Sequence, residues 1–295
     1  MPSITMTELE FTQSRLGVAS ITWITFFERG YDYLRTTQAA VQALVPVASL
    51  LGSIPEPIAS LFKINLDADK KAVIVEAGAK AQREMDAEFH FTNALVLLSL
   101  WGGFEAYIED VCKAAIAHDR SLLDMPCFNK TRYPISTFLQ LDDEHMLDRV
   151  LKDAVSAQRS NSRGVGKFES QLELVGLNGH VPRIIKSAIL HAQQDRNVWA
   201  HRAGVADKRY FDDSGGGRFT PGQTVTITRD EVETYLLALM IYGLIVINRF
   251  REKHGLPPAP VKHQSTHPVM DAYSEMYPDA STADSNQHVP PADPG

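Results

Sequence analysis

The sequence predicts an all-α fold in the form of a helical bundle. Apolar residues recur at the three- and four-residue spacing of amphipathic helices through most of the first 250 positions. A strand-like alternation is convincing only once, at 224–227, where it is short and precedes the last helix. Helices that bury their apolar faces against one another form a bundle, which is the natural packing for this order of elements.

The first part of the chain is predicted to form two long helical segments. Thr7–Val45 has apolar residues at helical spacing, and Pro46 is expected to end the helix. Asp67–His118 continues the pattern with few breakers, which are Gly78 and the pair Gly102–Gly103. Since one straight helix of that length would be unusually long, we expect a kink or a break within it.

The middle of the chain, about 120–179, is predicted to be an irregular helical insertion. A helix is expected at Asp142–Gln158, a turn at Ser160–Gly166, and a short helix that ends at Leu177. Pro182 then opens the next helix, because the first helical turn tolerates proline.

The last helix is predicted from a capping motif and an apolar run. Thr228 and Glu231 have the spacing of a capping box, in which the Thr caps the helix and the Glu reaches back. The run Tyr235–Ile247 is the most apolar of the chain. It is too short to span a bilayer and is typical of a central core helix.

Three regions are expected on this basis. Residues 1–65 form an N-terminal helical extension, 66–255 form the main helical domain with its insertion, and 256–295 form a tail. The tail holds half of the 16 prolines and few large apolar residues. Such a segment gains too little from burial to order itself, so we predict that it is disordered.

Composition indicates a soluble protein that can bury a core, with 44% hydrophobic and 22% charged residues. The N-terminus lacks the basic and apolar regions of a signal peptide, and Cys112 and Cys127 suit two reduced thiols. We therefore expect a cytoplasmic protein with no membrane partner. No cysteine cluster indicates a metal, and no motif indicates a cofactor.

The net charge of −7 argues against a general nucleic-acid coat, but the charge is uneven along the chain. The stretch from 183 to 209 contains six basic residues and only two acidic ones, Asp195 and Asp207. A local basic patch favours a confined phosphate site, although a solvated helix face would carry the same charges. The basic residues are Arg183, Lys186, Arg196, Arg202, Lys208 and Arg209.

The same stretch contains the run Arg196-Asn197-Val198-Trp199-Ala200-His201. Arginine presents a permanently charged, planar fork to phosphate, and an imidazole can exchange a proton near neutral pH. These groups are the ones that RNA cleavage by an internal 2′-hydroxyl needs in the absence of a metal. A second match to the spacing, from Arg249 to His254, lies in a charged helix end where a structural role is sufficient.

Two residues five positions apart differ by about 140° around an ideal helix, so Arg196 and His201 do not share a face. Either the helix unwinds at Trp199–Arg202, ahead of a turn at Gly204, or the site forms between two helices. Both alternatives favour a dimer over an isolated helix.

The run resembles the Arg-polar-x-x-x-His signature of the HEPN superfamily, all-helical domains found in many prokaryotic RNase toxins and phage-defence proteins. The segment Leu97–Glu109 is similar to the hydrophobic-aromatic-Glu helix that precedes the motif helix in the group allied to RiboL-PSP. The resemblance covers about 90–120 and 180–250, and it refines the predicted fold to a bundle of HEPN type.

The resemblance implies a metal-independent endoribonuclease of a toxin or phage-defence system, with Arg196 and His201 as catalytic residues. It also implies that two motifs meet in a homodimer that acts on RNA, with an antitoxin or defence-system protein as a further partner. The alternative is a non-catalytic HEPN-like module that binds a nucleotide or a protein. Supporting roles are expected for Asn197, Glu105, Trp199 and Arg202.

Most of these residues also have a structural interpretation. Asn197 either positions the histidine or contacts RNA, or it is a surface amide. Trp199 is able to stack a base, but a tryptophan in a helix is more often part of the core. Glu105 is either half-buried, with Arg196 as its cation, or exposed. In the structural alternative, Arg196 pairs with a carboxylate and His201 caps the helix C-terminus.

Overall fold

Helices make up most of the chain in the computed structural model, and the predicted all-α class is confirmed. Within the part of the chain that the structure describes, no β-strand is present. The described residues are 6–61, 67–128, 142–158, 162–213, 218–259, 261 and 267–278.

The helices before residue 120 include the two longest of the described chain. Asp67 caps the helix Ala68–Asp86, since its side chain accepts a hydrogen bond from the Lys70 backbone N–H at 2.9 Å. A short 3-10 helix, Arg120–Asp124, follows the last of these helices. Their bounds are α1 Glu8–Gln13, α2 Arg15–Ser53, α3 Glu56–Leu61, α4 Ala68–Asp86 and α5 His90–His118.

The later helices follow the predicted order. Asp142 caps the helix Asp143–Ala157 where a helix was expected, and Pro182 immediately precedes the helix Arg183–Arg202. The Pro182 carbonyl accepts the Lys186 N–H at 3.1 Å, so the proline acts at the cap. The bounds are α6 Asp143–Ala157, α7 Val165–Glu173, α8 Arg183–Arg202, α9 Lys208–Asp213, α10 Arg229–Lys253 and α11 Pro268–Met276.

The described residues form two compact units, each built from separate stretches of the chain, so neither coincides with a continuous region such as the expected 1–65 extension. The first unit comprises described residues of Met1–Phe26, Trp101–Gln193 and Thr234–Gly295. The second comprises those of Phe27–Leu100 and Gln194–Glu233.

Aromatic rings form the core of the first unit. The Phe104 ring lies 5.1 Å from the Trp23 ring, 5.1 Å from Phe168 and 5.7 Å from Tyr242, measured between centroids. These residues belong to four different helices, so their contacts hold the unit together. Most of the run Tyr235–Ile247 is buried, which confirms the predicted core helix.

The first unit also joins segments that are far apart in the sequence. The Met6 N–H donates to the His254 carbonyl at 3.0 Å, and Arg251 forms a two-pronged ion pair with Glu8. The Arg251 guanidinium lies 5.0 Å from the centre of the Phe11 ring. These contacts attach α1 to the end of α10.

In the second unit, α2 continues through Pro46 to Ser53, so the prediction that Pro46 ends the helix is wrong. Proline in a helix interior costs about 3 kcal/mol through a lost hydrogen bond and a steric clash. Packing explains why α2 tolerates it: Ala48 lies so close to α4 that a Cβ on Gly78 would be 2.5 Å from the Ala48 Cβ. This tertiary contact just after the proline outweighs the local preference.

The break expected in the long segment lies between α4 and α5 and is confirmed, but at neither glycine site. Glu88 and Phe89 adopt positive φ angles of 49° and 58°. The turn is stabilised by Asn93, whose side-chain N–H donates to the carbonyls of Glu88 (3.1 Å) and Ile227 (2.8 Å). Burial of the Phe89 ring offsets the strain of this conformation.

One described helix, α5, is long and apolar enough to cross a membrane by length and composition. Half of its most apolar window is buried inside the protein, and the core helix of a soluble protein passes the same test. The cytoplasmic location therefore stays an expectation.

The tail is not disordered throughout, so the prediction of a disordered 256–295 is wrong for 267–278. Helix α11 buries Val269, Met270 and Tyr273. The Asn248 side chain donates to the Tyr273 hydroxyl at 2.9 Å. The many prolines of the tail indicated disorder, although a few apolar residues lie together on one face of this short helix. The remaining tail residues, 260, 262–266 and 279–295, lie outside the described residues.

A pair of truncations tests the role of α11. Removal of 256–295 should lower the melting temperature by several degrees, because the apolar surface under α11 becomes exposed and buried Asn248 loses its partner. Removal of 279–295 alone keeps all of these contacts and should leave the melting temperature unchanged. Equal melting temperatures for the two truncated proteins, measured by calorimetry, would contradict a packed α11.

Candidate functional site

The motif lies at the C-terminal end of α8, in the second unit. The helix runs without interruption to Arg202, so the unwinding considered for Trp199–Arg202 does not occur. The chain leaves the helix through Ala203 (φ 49°) and Gly204 (φ 82°), as the predicted turn at Gly204 requires. The Gly204 N–H donates to the carbonyl of Val198, six residues earlier, at 3.3 Å, and this hydrogen bond ends the helix.

The segment that follows α8 folds back beside the helix end. A single antiparallel bridge pairs Val205 with Thr224, and the Val225 N–H donates to the Gly204 carbonyl at 2.7 Å. The β-like segment expected at 224–227 is therefore one bridge. A pairing limited to one bridge is not stable on its own, so side-chain packing must support it. The supporting apolar cluster is Val198, Ala206, Tyr210 and Val225, with Phe219 against it.

Trp199 connects the helix to this segment. Its indole N–H donates to the Val225 carbonyl at 3.1 Å, and its ring meets the Phe91 ring edge-on at 6.0 Å. A Cβ on Gly204 would lie 3.0 Å from the indole ring. These contacts support the structural interpretation of Trp199, and its use as a stacking surface for a base stays a prediction.

Asp195, which precedes the motif, is a functional candidate that the sequence analysis missed. Its carboxylate is 1% exposed and accepts hydrogen bonds from the Tyr210 hydroxyl (3.0 Å) and the Arg218 guanidinium (2.9 Å). Arg218 also binds Glu231, the capping-box residue of α10. Burial and the charge of Asp195 raise the pKa of Tyr210. In the sequence, the one sign of this role is that an acidic residue lies on the apolar face of α8.

Arg196 and Asn197 contact each other. The Arg196 side chain is half-buried, and its Nη1 donates to the Asn197 Oδ1 at 3.1 Å. Asn197 is four residues before His201, so the two side chains lie one turn apart on the same face. The hydrogen bond therefore places the Arg196 guanidinium against a side chain on the helix face that carries His201.

His201 is exposed at the end of α8. Among the described residues, its imidazole has no hydrogen bond, ion pair or ring contact. Arg202 is also exposed and lies 3.3 Å from the Asp207 carboxylate. An exposed imidazole next to basic side chains is accessible to a ligand phosphate.

Glu105 is half-buried, as one of its two interpretations requires, and belongs to the first unit. The Lys167 ammonium lies 2.7 Å from its carboxylate. The cation expected for Glu105 was Arg196, and that pairing stays a prediction.

The second Arg–His spacing has a structural role, as the sequence analysis allowed. Arg249 donates to the Glu169 carboxylate at 2.8 Å and to the carbonyls of Leu177 (3.0 Å) and His180 (2.9 Å). His254 packs against Phe250 at 4.3 Å, and burial lowers its imidazole pKa. These bonds engage the Arg249 guanidinium within the first unit.

No group of three or more His, Cys, Asp or Glu side chains with metal-binding geometry occurs in the described ranges. Cys112 and Cys127 are both free thiols, and burial raises the pKa of Cys112 to about 12.

The chain was compared with family models, curated proteins and solved structures, and none of the three comparisons gave a match. The HEPN resemblance therefore stays a prediction.

Two glycines provide a matched test of the helix end. Gly204 and Gly222 both have positive φ angles, of 82° and 92°, but only Gly204 has the Trp199 ring beside its missing Cβ. Gly222→Ala should cost about 1 kcal/mol through backbone strain. Gly204→Ala should cost about 2–3 kcal/mol, because the indole must also shift. Similar costs in urea denaturation would show that Trp199 does not constrain the turn.

Proposed function

We propose that this protein is a metal-independent endoribonuclease of HEPN type, in which Arg196 and His201 act on the scissile phosphate of RNA. The observation that carries the proposal is the hydrogen bond from Arg196 to Asn197, combined with the position of Asn197 one turn before His201. It supports a site in which the guanidinium and the imidazole act from the same side of α8.

The two side chains have complementary chemical roles. His201 takes the proton from the attacking 2′-hydroxyl or supplies one to the departing 5′-oxygen, since an imidazole does both near neutral pH. Arg196 stabilises the extra negative charge that develops on the phosphorane oxygens. Asn197 holds the guanidinium in position, and the exposure of His201 and Arg202 leaves room for the RNA backbone.

One histidine leaves either the acid or the base unassigned, so the proposal includes a homodimer. A two-fold axis near the C-terminal end of α8 would bring a second His201 into the same cleft. The biological setting that we infer is a cytoplasmic toxin or phage-defence system in which an antitoxin or another defence protein controls the activity.

An RNA cleavage assay in EDTA tests the proposal. The wild-type protein should cut labelled RNA, and His201→Ala should abolish cutting while it changes stability by less than about 1 kcal/mol, since the side chain is exposed. Arg196→Lys should lose most activity, because lysine keeps the charge but not the fork. His191→Ala, at an exposed histidine of the same helix, is the matched control and should retain full activity.

The same assay tests Asn197. Asn197→Ala removes the acceptor of the Arg196 bond, so we expect at least about a tenfold loss of the cleavage rate at saturating RNA. Wild-type rates in Asn197→Ala would contradict its role, and wild-type rates in His201→Ala would reject the catalytic assignment. RNA or nucleotide binding without any cutting would favour the alternative of a non-catalytic binding module.

Mixed dimers test whether the site is composite. Arg196→Ala and His201→Ala chains are each expected to be inactive, and refolding them together gives heterodimers that carry an intact residue of each type. The activity of the mixture should differ from the sum of the two inactive proteins. An active protein that is monomeric by light scattering at micromolar concentration would contradict the dimer.

A further inference from the structure

A second candidate site lies in the first unit and involves none of the motif residues. It is a partly open cavity of about 300 Å³ where α5, α6 and α7 meet. That volume is at the lower end of the range for small-molecule sites, so the cavity suits a compact ligand. Its lining is Glu109, Cys112, Leu151, Lys152, Val155, Ser156 and Gln171.

The cavity combines an apolar floor with polar groups. Leu151 and Cys112 are buried in the floor, with Val155 beside them. The Cys112 thiol faces the Gln171 backbone carbonyl at 3.6 Å, while the Gln171 carboxamide makes no hydrogen bond to any described residue. A ligand in the cavity can therefore contact an apolar surface and form hydrogen bonds with the Gln171 carboxamide.

Two charged groups line the cavity, the Glu109 carboxylate and the Lys152 ammonium. The Glu109 carboxylate shares the Lys113 ammonium, at 3.3 Å, with Asp110 (3.2 Å) and Asp148 (3.5 Å), while Lys152 is 2.7 Å from Asp148. Three carboxylates thus surround two ammonium groups. Burial, and then a hydrogen bond with Asp148, raise the pKa of Glu109, which means that its surroundings stabilise the ionised form incompletely.

We propose that this cavity binds a compact organic monocation, with an amidinium, guanidinium or primary ammonium group on a short apolar body. The cation pairs with the Glu109 carboxylate and donates to the Gln171 carboxamide oxygen. The apolar body lies against Leu151 and Val155. A cation supplies the stabilisation that Glu109 lacks, whereas an anion would be repelled by the excess of carboxylates.

Three isosteric probes that differ in charge test this site in the full-length protein. Benzamidine should bind saturably, uncharged benzamide more weakly, and anionic benzoate not at all, as measured by ligand-observed NMR and calorimetry. Equal binding of the three probes, or no saturable binding of benzamidine up to about 10 mM, would overturn the proposal.

Variants separate charge recognition from cavity filling. Glu109→Gln should reduce benzamidine affinity at least about tenfold, to the level of benzamide. Glu173→Gln, which removes the same charge from an exposed position on α7, is the matched control and should bind as the wild type does. Val155→Trp should fill the cavity and abolish binding of all the probes. A benzamidine affinity unchanged in Glu109→Gln would overturn the proposal, and none of these outcomes depends on RNA cleavage.

Discussion

The buried carboxylate of Asp195 is the constraint on which the candidate site depends. An ionised carboxylate away from water costs several kcal/mol unless it is paired, and here Arg218 and Tyr210 supply the partners. Arg218 extends the network to Glu231 at the start of α10. The segment between α8 and α10 therefore cannot leave the helix end without exposing an unpaired charge, and the turn at Gly204 is held in its place.

Neighbouring residues at the end of α8 have different roles: some hold the fold, and others are accessible to a ligand. Asp195 is buried in the second unit, Arg196 and Asn197 are half-buried and bonded to each other, and His201 is exposed at the end of the helix. Trp199 anchors the same end through Val225. A rigid inner side and an accessible outer side are what a preorganised phosphate site requires, because the charged group is positioned before the ligand arrives.

Sequence reasoning succeeded where the determining contacts are local. The capping box at Thr228 was predicted and is present, because both of its hydrogen bonds lie within four residues. It failed at Pro46 and in α11, where packing between distant segments outweighs the local preference. The role of Asp195 was missed for the same reason, since its partners follow it by 15 and 23 residues and neither pairing leaves a local pattern.

The bonds that join α1 to the end of α10 have a consequence for how the protein is made. Glu8 and Arg251 are 243 positions apart. At a synthesis rate of 5–20 residues per second, Glu8 waits roughly 10–50 s on the ribosome before its partner is added. During that time the Phe11 ring lacks Phe250, which lies 6.3 Å from it in the folded protein. The first unit closes only after α10 has been synthesised, so a product that stops before α10 exposes unpaired apolar surface to chaperones and proteases.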